Sequence, residues 1–107
     1  MTDHPIFRVV FVNNGKTYEV YAKSVTQGNL YGFVEIQQIL FNNRSGILVD
    51  PSEEKLKAEF QGVKSTQIPI HSVIRIDEVD KQGVAKIGEA SNSVVTPFPL
   101  PNTPNKS

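Results

Sequence analysis

The side chains in this sequence that could do chemistry are few. Three carboxylates crowd one stretch: Asp77, Glu78 and Asp80. Catalysis by paired carboxylates needs two of them in one cleft with their pKa values pushed apart. Here the spacing favours a solvated strand end and turn. The only histidines are His4 and His71, and there is no cysteine. Disulfides, thiolate metal sites and a cysteine nucleophile are therefore excluded. His4 precedes Pro5 at an end expected to fray. His71 sits in a bend, where it could bond nearby backbone or contact a ligand. Without a second histidine beside it, the turn role is favoured. Asp50 is better explained as a helix cap than as an acid. No phosphate loop, dinucleotide fingerprint, metalloprotease helix or nucleophile elbow is present. No catalytic, cofactor-binding or metal-ligating residue is assigned.

A binding surface can be assembled instead. Arg8, Tyr21, Lys23, Lys64, His71 and Arg75 combine cations with a stacking ring, the kit of a single-stranded RNA contact. Cross-strand pairing with Glu19 is the competing explanation, and the favoured one, because opposite charges commonly neighbour each other on sheets. Lysine plus arginine is 11 and aspartate plus glutamate is 11, so the formal net charge is zero. A balanced chain has no long-range attraction for nucleic acid or an anionic membrane, so RNA affinity would have to come from a local patch.

The elements that must position these residues are mostly strands. Ile68, Ile70, Ile74 and Ile76 share one parity, with Arg75 and Asp77 on the other face. Pro69 cannot sit in a central ladder. The pattern predicts strands over about Ser65–Ile68 and Val73–Val79, joined by a bend. Asp80–Gly83 then reads as a hairpin loop, with Val79 facing Val84, Asp77 facing Lys86 and Ile76 facing Ile87. Asn14-Gly15 marks a two-residue hairpin turn. It pairs Phe11 with Tyr18, Val9 with Val20 and Phe7 with Ala22, all on an apolar face. Gly32–Phe41 reads as a strand, and a bulge near Gln37-Gln38 would turn Val34, Ile36, Ile39 and Phe41 all inward. Asn42–Gly46 reads as a turn and Ile47–Val49 as a short strand. Asp50, Pro51 and Glu53 form a helix start. Leu56 and Phe60 would face the sheet, Glu53 and Lys57 would pair outside, and Gly62 would cap the end.

With 107 residues the chain suffices for one domain. That domain is placed at residues 5–88. A disordered, proline-rich tail at 89–107 follows, carrying Phe98 and Leu100. No signal peptide and no bilayer-spanning run is visible, so a soluble cytoplasmic protein is expected.

Five stretches carry a resemblance: FRVVF (Phe7–Phe11), GKTYEVYA (Gly15–Ala22), YGFVEI (Tyr31–Ile36), VDPSEEKLKAEF (Val49–Phe60) and IPIHSVIRIDEVDKQG (Ile68–Gly83). Together, over roughly residues 5–88, they resemble an uncharacterised family of short proteobacterial proteins, domain of unknown function 1820. The resemblance implies a small stand-alone bacterial cytosolic protein and supplies no catalytic residue. IPIHSVIRI alone is similar to a strand–bend–strand stretch of small RNA-associated β domains, including Sm-like barrels and an archaeal RNA-end recognition domain. The middle of the chain departs from those.

The expected fold is mainly β (α+β). Five or six antiparallel strands form a small bent sheet or open SH3/Sm-like barrel, with one short inserted helix near 51–60. The expected function is a non-catalytic binding or regulatory module with RNA or a ribonucleoprotein as partner. The alternative is a protein-interaction or homodimerising module that uses an exposed edge strand. A small enzyme comes third.

Overall fold

The computed structural model describes residues 4–41 and 50–89. Its elements are β1 (Ile6–Asn13), β2 (Lys16–Thr26), β3 (Phe33–Leu40), α1 (Pro51–Glu59), β4 (Ser65–Pro69), a 3-10 turn (Ile70–Ser72), β5 (Val73–Val79) and β6 (Lys86–Glu89). All six strands lie in one antiparallel sheet of order β4-β3-β2-β1-β5, with β6 also on β2. The fold is thus the expected one: mainly β, an open sheet with one short helix. The expected turn at Asn42–Gly46, the strand at Ile47–Val49 and the tail beyond Glu89 lie outside the described residues.

The β1–β2 hairpin is built as its sequence dictates. Asn14 and Gly15 both take positive φ, 54° and 75°, as a type I′ turn requires. The register joins Phe11 to Tyr18, Val9 to Val20 and Phe7 to Ala22. Val9, Phe11, Tyr18, Val20 and Ala22 from this pairing are buried, and the Phe11 and Tyr18 rings stack 4.8 Å apart. Val34, Ile36, Leu56, Ile68 and Ala85 complete the core.

The inward turn in β3 is real but is shared between two strands. Gln38 has φ 59°, a conformation that costs a non-glycine residue energy. Val34 and Ile36 are buried on one side of it, while Ile39 and Phe41 pack on the core from the other. Register with β2 is the same on both sides, Ala22 with Ile39 and Ser24 with Gln37. The partner strand therefore changes face in step, from Ala22 to Val25, and the sheet bends there.

Two expectations fail, for related reasons. The helix begins as read, with Asp50 accepting from the Ser52 and Glu53 amides. Glu53, however, is not on the outside. It is buried, and its Oε2 accepts from the Ala85 amide at 3.3 Å. Lys57 pairs with Glu54 instead, at 3.5 Å. Ser52 Oγ accepts from the Ile87 amide at 2.7 Å and bonds the Ile87 carbonyl at 3.3 Å. The first turn of α1 thereby clamps the chain around Ala85–Ile87 and directs it to β2. So β6 does not form a hairpin with β5. Its partners are Thr17 for Gly88, Tyr18 for Ile87 and Glu19 for Lys86. Pairing with β2 buries Ala85 and packs Ile87 on the core, a gain the local hairpin could not offer. The outer edge of β5 is left without a partner strand among the described residues.

The four isoleucines also part company. Ile68 is buried, but Ile70, Ile74 and Ile76 are exposed by 47%, 56% and 40%. The 3-10 turn breaks the strand alternation between Ile68 and Ile74. A bulge breaks it again: Val10 opposes Arg75, yet Phe11 opposes Val73, so Ile74 has no opposite residue.

Candidate binding surface

The outer face of the β2–β1–β5 segment carries a continuous ionic cluster. Alternation aims Arg8, next to the buried Val9, away from the core. Register places Tyr21 opposite it on β2 and Asp77 on β5. Arg8 Nε donates to Glu19 Oε2 at 2.9 Å, and Arg8 Nη1 donates to Asp77 Oδ2 at 2.7 Å. Arg75 Nε lies 3.0 Å from Asp77 Oδ2, and its Nη2 donates to Oδ1 at 3.1 Å. The Tyr21 hydroxyl donates to Glu19 Oε2 at 3.1 Å. Two guanidinium groups thus meet two carboxylates.

The environment fixes the charge state of each group. Burial pushes the Glu19 carboxyl up, but bonds from Arg8 and Tyr21 and the charges of Arg8 and Lys86 outweigh it, and its pKa falls. The Arg75 bond, then Arg8, holds Asp77 below its ordinary value. The bond to Glu19 raises Arg8 further. Burial and then Glu19 raise the Tyr21 phenol. Near neutrality both carboxylates are ionised and the phenol keeps its proton. The ring of Tyr21 is covered as well: a Cβ on Gly83 would fall 2.5 Å from its hydroxyl. Gly83, read from sequence as a turn residue, also gives space to Tyr21.

The six residues picked from sequence therefore divide. Arg8, Tyr21 and Arg75 share the cluster, with Arg8 and Tyr21 engaged inside it. Lys23 and Lys64 are exposed, next in the chain to Ser24 and Ser65, which both pair with Gln37. Lys64 lines a shallow groove of about 430 Å³ with Gln37, Phe41 and Phe60. His71 is exposed in the 3-10 turn beside β5. The pairing of Arg8 with Glu19 is the one the sequence reading weighed against an RNA contact, whereas Asp77 as the second centre of the cluster was missed. The hairpin register already set Glu19 on the face of Arg8, but only the β1–β5 pairing brings Asp77 opposite it.

The fold and this surface define a small, mainly β domain with an open edge. The chain belongs to the family described as a domain of unknown function (DUF1820), whose model matches residues 5–100. No curated protein and no solved structure gives a match. Among the described residues, no helix is long and apolar enough to cross a membrane.

Proposed function

We propose that this protein is a non-catalytic binding module whose partner is a polypeptide strand added to the outer edge of β5. The observation that carries the reading is the state of that edge. Its seven residues end the sheet, and Ile74 and Ile76 stand exposed on it with Ile70 just before. Soluble proteins commonly protect such edges, and an uncovered apolar one is a template for strand addition. The ionic cluster stiffens β5 against β1 through Arg8 and Asp77, so the edge is offered in a fixed shape.

RNA is the second reading. It is favoured by the exposed pair Lys23 and Lys64 flanking one row of the sheet, near the groove lined by the half-buried Phe41 and Phe60. The closed state of Tyr21 takes away its intended stacking ring. A photo-crosslinking amino acid placed at Ile76, at Lys64 and at Glu54 in living cells separates the readings. Protein adducts at position 76, with none at 54, are expected. Nuclease-sensitive adducts at 64 with none at 76 would overturn the edge reading and promote RNA.

A further inference from the structure

We infer that the strand received by β5 is β5 of a second copy of this chain, paired antiparallel about a two-fold axis through Ile76. This rests on the reading of β5 as a binding edge and names its partner. An isologous pairing obliges one surface to complement itself. In an antiparallel pair with the axis normal to the sheet, residues facing each other have numbers with a constant, even sum.

Charge selects among the registers. With the axis at Ile76, Arg75 of each copy faces Asp77 of the other, Val73 faces Val79 and Ile76 meets its own copy. Moving the axis to Arg75 sets guanidinium against guanidinium. Moving it to Asp77 sets carboxylate against carboxylate. Like charges directly opposite each other destabilise a sheet. Only the Ile76 register pairs opposite charges across the axis and covers an exposed isoleucine.

The existing cluster supports the same register. Arg75 reaches Asp77 on its own strand, with its side chain 63% exposed. The Arg75 of a second copy would join this row, extending the line Glu19–Arg8–Asp77 across the axis. On the other face Ile76, opposite the buried Val9 in the register with β1, gains an apolar neighbour. The edge is about 23 Å long at the usual rise of a strand. Such a short contact makes a small interface, of the size class found in weak, transient pairs.

The chain contains no cysteine, which makes the register directly testable. Ile76→Cys in the full chain places two thiols opposite each other, within the Cα separation a disulfide accepts. Mild oxidation should give a covalent dimer, while Glu78→Cys on the same strand should stay monomeric. Adding Arg75→Asp to Ile76→Cys sets two carboxylates against each other and should cut the dimer yield at least tenfold. The thermal midpoint of each variant shows that it is folded. If folded Ile76→Cys gives no more dimer than Glu78→Cys, the proposal is overturned. Photo-adducts at position 76 to other proteins would then leave the edge reading standing. Absence of any adduct there would remove both.

Discussion

Glu53 gives the sharpest test of how the sheet is held together. A carboxylate three residues after the cap would ordinarily form a surface pair with Lys57, worth about 0.3–0.5 kcal/mol. In the structure Glu53 is only 5% exposed and accepts from the buried Ala85 amide. Glu53→Ala leaves that amide without this acceptor, a loss of about 1–3 kcal/mol. Contacts of the deleted side chain add to it. For a domain of this size each kcal/mol lowers Tm by about 4–8 °C, so a fall on the order of 10 °C is expected. Glu54→Ala removes the exposed pair with Lys57 and should cost under about 0.5 kcal/mol. The assay is urea unfolding of both variants, with hydrogen exchange read at Ala85 and Ile87. Faster exchange at those two amides should accompany the Glu53 loss. Equal, small losses in both variants would refute the clamp between α1 and β6.

Other consequences follow from the same packing. Phe11→Ala should cost about 3–5 kcal/mol, because Phe11 is buried and stacked on Tyr18, whereas Val12→Ala on the opposite face should cost clearly less. Gly83→Ala drives a methyl into the Tyr21 ring and should cost about 1–3 kcal/mol by overpacking. Glu19 and Asp77 have folded pKa values below their ordinary ones, 4.5 and 3.8. Their contribution is present above those ordinary values and is lost as pH falls through the depressed folded ones. Denaturant midpoints should therefore decline below about pH 4.5, and Glu19→Gln should flatten that decline.

Much of this fold was legible because its signals are local. Asn14-Gly15 fixes both the turn and the register that follows from it. Asp50 and Pro51 set the helix start, and Pro69 forces the break before β5. What failed depended on contacts distant in sequence. Asp80–Gly83 has the composition of a hairpin loop, but Ala85 and Ile87 gain more by meeting α1 and Tyr18. The same choice buries Glu53, which no helical periodicity could announce. Ile68, Ile70, Ile74 and Ile76 share one parity, yet a 3-10 turn and a one-residue bulge interrupt the alternation between them. For the candidate surface, the pairing of Arg8 with Glu19 is legible from the hairpin register, while Asp77 is not, because it depends on how β5 meets β1. Arg8 and Tyr21 have the chemistry of an RNA contact, and it takes the third strand to show that Asp77 joins Glu19 in occupying Arg8.

The route of β6 decides whether β5 is an open edge, and nuclear Overhauser contacts across the ladders report it directly. The account predicts backbone contacts linking Lys86 with Glu19 and Gly88 with Thr17 in dilute protein, and none linking Lys86 with Asp77. Contacts between Lys86 and Asp77 would mean that β6 covers β5, and the binding edge would not exist.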